Sequence, residues 1–108
     1  MNIDEQNAAV SSQFLKLGFK LLHSNKKPST NGPDMWVIKD GRKPLSVEIK
    51  IARKKINGCI ATEPVSKARI GDDLIAVIFN KDYVLIESMK DHLRNCSPKG
   101  TRAFTVLS

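Results

Sequence analysis

NGPDMWVIKDGRKPLSVEIKIARKK, residues 31–55, decides how this chain is read. Pro33-Asp34 precedes a short apolar run, Met35 to Ile38. Asp40-Gly41 follows, and then a second apolar run holding Val47, Glu48, Ile49 and Lys50. Asp-Gly between two such runs is a strong hairpin signal, because both residues tolerate a positive φ. The pattern predicts strands over 34–39 and 43–51. Side chains alternate along a strand, so Val47, Ile49 and Ile51 share one side, and Ser46, Glu48 and Lys50 the other. The first set is expected to pack under a helix. The second sets a carboxylate and an ammonium about 7 Å apart on one face.

The place of Asp34 depends on register. A plain two-residue turn at Asp40-Gly41 pairs Asp34 with Val47 and turns it to the wrong face. One extra residue, in the loop or as a bulge, pairs Asp34 with Glu48 instead, at about 5 Å. Two carboxylates that close repel unless a cation joins them. Mg²⁺, or Mn²⁺ in its place, suits such a pair: it takes oxygen ligands, keeps several waters and shares the rest with phosphate oxygens. The backbone carbonyl of Ile49 is a candidate third ligand. Lys50 would orient the attacking water or help to deprotonate it. Residues of these types in this order point to metal-assisted phosphodiester hydrolysis. The alternative is that Asp34 simply begins a strand and that Glu48 and Lys50 are a solvated ladder of opposite charges.

The flanking sequence supplies further elements. Ile3, Val10, Phe14 and Leu17 recur at helical spacing, so residues 3–17 are expected to be a helix. Asn2 and Glu5 form a capping-box pattern at its start, and Gly18 stands where a left-handed cap belongs. Phe19 to His23 is a first strand, and residues 24–32 a polar loop. Asn57-Gly58 signals a second hairpin, with the preceding strand running on through Lys55 and the chain returning along Cys59 to Thr62. Pro64 opens a short helix over Val65–Ile70, closed by Gly71. Leu74–Phe79 is almost wholly apolar, as a buried strand is, and Tyr83–Glu87 is the next strand. Ser88 caps a helix to about Asn95 with Leu93 facing inward. Ala103–Leu107 is a last edge strand. Trp36 and Phe79 are expected in the core. The order, helix-strand-strand-strand-short helix-strand-strand-helix, describes an α/β domain over residues 1–108 with a central mixed sheet flanked by helices.

Pro33-Asp34, a hairpin-length gap and Glu48-Ile49-Lys50 resemble the motif of the PD-(D/E)XK nuclease superfamily, which includes restriction endonucleases and archaeal Holliday-junction resolvases. The likeness covers residues 33–50 as a motif and roughly 3–90 as an arrangement. It implies a restriction-endonuclease-like core, Asp34 and Glu48 as metal ligands and Lys50 as the catalytic lysine. Glu5 matches a first-helix glutamate that assists metal binding in some members, and it is equally where a capping box would put it. The chain departs from the family after the motif, where the crossover helix is reduced.

Lys and Arg number 18 against 11 Asp and Glu, a net charge of +7 that suits a polyanionic partner. Lys26 and Lys27 precede Asp34. Arg53, Lys54 and Lys55 follow Lys50, and Lys67 and Arg69 lie on the expected crossover helix. Cations around an acidic floor suit a phosphate backbone. Duplex or branched DNA is the partner the resemblance implies, and a homodimer would let two sites address two strands. The small size and minimal architecture suggest a phage or mobile-element protein. Cys59 and Cys96 have no metal-ligand spacing and are expected to be reduced thiols. No apolar run reaches membrane-spanning length, so the expectation is a cytoplasmic protein, in the host cytoplasm if phage-encoded. The competing class is a catalytically inactive basic nucleic-acid-binding module on the same fold.

Overall fold

A computed structural model describes residues 1–24 and 32–105. Helix α1 (Ile3–Lys16) begins with the capping box: the Glu5 N–H donates to Asn2 Oδ1 at 2.8 Å, and the Asn2 N–H donates to Glu5 Oε1 at 3.3 Å. It ends in a Schellman motif. Gly18, at φ +87°, donates to the Leu15 carbonyl, and the Phe19 N–H reaches the Phe14 carbonyl at 3.0 Å. That backbone geometry needs a glycine. It also brings Phe19 edge-on to Phe14, with ring centroids 5.3 Å apart. Val10 and Phe14 are buried, whereas Leu17, just past the last turn, is exposed.

The main sheet has the order β1-β2-β3-β6-β7, with ranges Lys20–Ser24, Met35–Ile38, Leu45–Ile51, Leu74–Asn80 and Tyr83–Ser88. Only the central pair, β3 and β6, is parallel; its register runs from Val47–Leu74 to Ile51–Ile78. The face under α1 is apolar: Met35, Val37, Val47, Ala76, Ile78 and Val84 close on Val10 and Phe14. Central β6 is apolar on both faces because both are covered there.

The crossover from β3 to β6 departs from expectation in two ways. The third strand does not run on to Lys55. It breaks at Ala52, whose N–H makes the last bond to β6, on the Ile78 carbonyl at 2.9 Å. Arg53–Lys54 (β4) then joins a second sheet, β4-β5-β8, with β5 at Ile60–Thr62 and β8 at Arg102–Phe104. The Asn57-Gly58 hairpin joins β4 to β5, as expected. The short helix over Val65–Ile70 does not form: hydrogen bonds from Arg69 and Ile70 to the Ser66 carbonyl close only isolated turns. A segment that short cannot repay helix nucleation unless it buries an apolar stripe, and here Ile70 is exposed.

The second sheet and helix α2 (Met89–Arg94) cover part of the other face of the main sheet, around Ile75 and Val77. Ser88 caps α2 by accepting from the Asp91 N–H at 3.0 Å. Its inward side chains are Met89 and His92, one turn apart, while Leu93 points out. Trp36 also stays at the surface, because no described residue packs over its end of the sheet on the side away from α1. No described helix is long and apolar enough to cross a membrane.

Candidate active site

The hairpin adopts the register that brings Asp34 to Glu48. Arg42 donates to the Lys39 carbonyl at 3.0 Å across Asp40 and Gly41, both at positive φ, which is a two-residue turn. The ladder beyond it nevertheless pairs Met35 with Val47, Trp36 with Ser46 and Val37 with Leu45. One extra residue therefore lies on the β3 side, between the turn and Leu45. Pro44 falls there, and a proline has no N–H to give to a ladder. Extending the observed register by one step sets Asp34 across from Glu48.

Local hydrogen bonds fix both carboxylates. The Ile49 N–H donates to Asp34 Oδ2 at 2.8 Å and, more weakly, to Glu48 Oε1 at 3.2 Å. That N–H is free because β2 pairing ends at Met35–Val47. A strand residue points its N–H and C=O to the same side, so the Ile49 carbonyl also faces the end of β2 where Asp34 stands. Glu48 is only 8% exposed. Burial first, then a shared hydrogen bond with Asp34 and the charge of Asp34, push its carboxyl up to about 8, while Lys50 and the Ile49 N–H pull the other way. Glu48 thus keeps its proton near neutral pH and shares a hydrogen bond with half-buried Asp34, and a divalent cation is a charge that can take that proton's place. Two carboxylates and one carbonyl form an oxygen donor set of the kind Mg²⁺ takes, with water completing its shell. Among the described residues no three His, Cys, Asp or Glu side chains form a metal-binding group, so any cation here would rely on the carbonyl and on water.

Lys50 shares the Glu48 face, half-buried, and its charge is felt by Glu48, Glu63 and His92. Trp36 also lies on this face, two residues from Asp34 and directly across from His23 on β1. Glu5 sits elsewhere in the chain's design. Its exposed carboxylate closes the α1 capping box, which accounts for its position without a metal.

Among the described residues the basic side chains divide into exposed and ion-paired groups. Arg53 and Lys54 are exposed on β4, and Lys67 is exposed on the crossover turn. Lys55 is ion-paired to Glu63, and Arg69 lies 3.6 Å from Asp72. Lys26 and Lys27 lie outside the described residues.

A second polar group on the same face was not anticipated from the sequence. Glu87 pairs with Ile75, which in turn pairs with Glu48, so the two carboxyls occupy one row across the sheet. Glu87 accepts from Arg102 at 3.4 Å and lies 2.9 Å from His92 Nδ1. His92 is wholly buried, and its Nε2 has no hydrogen-bond partner among the described residues. Burial pushes the His92 pKa down, against the pull of Glu87. The available signal was the alternation of Tyr83, Leu85 and Glu87 along β7, which aims Glu87 at this face; the pairing with Arg102 comes from a distant strand. Ser46 and Asp73 close the neighbouring row, with Ser46 N–H donating to Asp73 Oδ2 at 2.9 Å and Asp73 N–H to Ser46 Oγ at 3.1 Å. Cys59 and Cys96 form no disulfide.

No family model matches the sequence, and no curated protein does. Among solved structures, the chain is similar to the bacterial homing endonuclease I-Ssp6803I. The TM-score is 0.71 at 12% identity, over 97% of this chain and 73% of that one. At that identity the likeness is one of fold: this chain is an α/β protein whose mixed five-stranded sheet and helices follow the arrangement of that nuclease.

Proposed function

We propose that the chain is a metal-dependent DNA endonuclease of PD-(D/E)XK type, hydrolysing phosphodiester bonds in duplex or branched DNA. The observation that carries this reading is the one-residue offset between turn and ladder, which sets Asp34 and Glu48 on one face around the Ile49 N–H. Asp34, Glu48 and the Ile49 carbonyl would hold Mg²⁺ or Mn²⁺, which supplies Lewis-acid stabilisation of the phosphate and lowers the pKa of water. The Ile49 N–H holds the Asp34 carboxylate in place before substrate arrives, so little reorganisation is needed at the reacting centre. Lys50, on the same face, orients the attacking water and balances charge beside the scissile phosphate. Exposed Arg53, Lys54 and Lys67 provide cations for flanking phosphates. The homing endonuclease of like fold supports DNA as the substrate. Two copies of so small a domain would address the two strands of a duplex.

The test uses supercoiled plasmid and a four-way junction with Mg²⁺, with Mn²⁺ and with chelator, for the natural chain and for Asp34→Ala, Glu48→Ala and Lys50→Ala. Cutting that requires a metal and is lost in all three variants is the expected result. Trp36 is the chain's single tryptophan and lies two residues from Asp34, so its emission gives a readout of DNA arrival that is separate from cutting. Binding without cleavage under either metal would replace this reading with a catalytically inactive nucleic-acid-binding module.

A further inference from the structure

Ile56 is the most exposed large apolar side chain among the described residues, at 109%. A single exposed apolar residue is ordinary on a protein surface. The position of this one is not. It leads the three-residue tip of the β4–β5 hairpin, and the tip is tightly built. Lys55 N–H donates to the Cys59 carbonyl at 2.7 Å, Gly58 N–H to the Lys55 carbonyl at 2.9 Å, and Cys59 N–H to Asn57 Oδ1 at 3.2 Å. Gly58 takes the left-handed conformation, φ +83°, that closes three-residue hairpins. The Lys55–Glu63 ion pair braces the base. The hairpin thus holds Ile56 outward on a firm support, with exposed Arg53 and Lys54 just behind it.

We infer that this hairpin is a DNA wedge: Arg53 and Lys54 engage backbone phosphates while Ile56 inserts at a base step and unstacks it. The inference rests on the nuclease reading above and adds a second point of contact to it. Apolar wedges flanked by cations are a recurrent way to open or kink a duplex, and isoleucine is among the residues used. Charge selects the occupant. A second copy of this chain meeting the hairpin through a two-fold contact would set Arg53 and Lys54 against their own equivalents, whereas phosphate complements them. The hairpin is also continuous with the candidate catalytic strand. From Glu48 to Ile56 the chain advances eight residues, a reach of at most about 26 Å, or about eight base-pair steps. The unstacked step is therefore close to the cut, and the wedge and the metal ligands move as parts of one strand and its extension.

The experiment uses the intact chain in chelator, so that DNA is bound and not cut. A set of duplexes carries 2-aminopurine at successive steps on either side of the mapped cleavage position. The natural chain is expected to raise 2-aminopurine emission at one step within that reach. Ile56→Ala should abolish the rise and weaken binding about tenfold or more, the loss of an apolar contact of this size. Ile56→Leu should restore both. The side chain is in open solvent, so neither substitution threatens folding, and an unchanged circular dichroism spectrum would document that. Binding with no unstacked step, or the same rise in Ile56→Ala, would overturn the wedge while leaving the nuclease reading intact. An oligomer in the natural chain that Ile56→Ala dissolves, with DNA unstacking unaffected, would overturn it in favour of self-association. Absence of DNA binding by every variant, in chelator and equally with Ca²⁺ in its place, would instead defeat the nuclease reading on which the wedge rests.

Discussion

The two faces of the main sheet are built from the same strands and follow opposite rules. Under α1 the fully buried side chains are apolar, Phe14, Val47 and Ala76 among them. On the opposite face the same strands present Glu48 beside Asp34, Lys50 two residues on, and Glu87 in the row of Glu48. Only the middle of that face, around Ile75, Val77 and Met89, forms a core of its own. The first face is spent on stability. The second holds a carboxyl pair in which burial and the neighbouring charge make Glu48 retain its proton, and a group perturbed in this way is where chemistry is expected. One strand thus carries both purposes, separated only by the alternation of its side chains.

Mutations should separate the faces. Phe14→Ala is expected to have the largest effect, a loss of about 3–5 kcal/mol in stability, because a fully buried ring leaves a cavity. For a domain of this size that is a large fraction of the whole. Urea denaturation would measure it, and a loss under 1 kcal/mol would mean that α1 does not close the core described here. Glu48→Gln should do the reverse. Cleavage is expected to fall by about three orders of magnitude, a loss typical of removing one group that stabilises developing charge, while urea stability at pH 8 does not fall. A simultaneous collapse of folding would show that Glu48 is a structural residue.

The same carboxyl has a pH signature. Glu48 sits at about 8 in the metal-free fold against an ordinary 4.5, so between these values the native state holds a proton that the unfolded chain has released. Its contribution to stability is therefore complete below about pH 4.5 and is lost as pH rises through about 8. In chelator, the natural chain should lose stability relative to Glu48→Gln across that window, and Mg²⁺ should offset the loss at the alkaline end. Parallel pH profiles for the two proteins would contradict a proton held on Glu48. Smallest of these effects, Asn2→Ala removes the α1 cap and should cost about 1 kcal/mol in thermal or urea unfolding. It should leave cleavage unchanged, since it touches only the stability face.

Much of this was legible in local sequence. Asn2, Glu5 and Gly18 define both ends of α1, because capping is decided within a few residues. Asp40-Gly41 and Asn57-Gly58 mark two hairpins, because their conformational demands are local as well. The alternation through Ser46, Glu48 and Lys50 assigns one face of β3. The apolar run at Leu74–Phe79 identifies the buried strand. Apart from the third strand, which breaks at Ala52 and does not run on to Lys55, the readings that failed concern coverage. Trp36 was expected inside, but no described element covers its end of the sheet. Leu93 was expected inward, but in a helix of six residues the pairing of Met89 with His92 chose the buried side. The stretch Val65–Ile70 had helical punctuation, but only Val65 packs against the core while Ile70 is exposed, so no apolar stripe supports a helix.

The sequence by itself determined that Asp34, Glu48 and Lys50 exist at spacings that two strands could gather, and that the chain is basic. It left two registers open. Tertiary structure chose between them: the extra residue at Pro44 shifts the ladder, and the shift turns Asp34 from one face to the other. It alone also brought Arg102 to Glu87, and it freed the Ile49 N–H for the carboxylates. Local propensity acts over three or four residues, while register and burial are set by what packs on each face. A strand can state its alternation in its own sequence, but only its neighbours decide which side becomes core and which is left to hold charge.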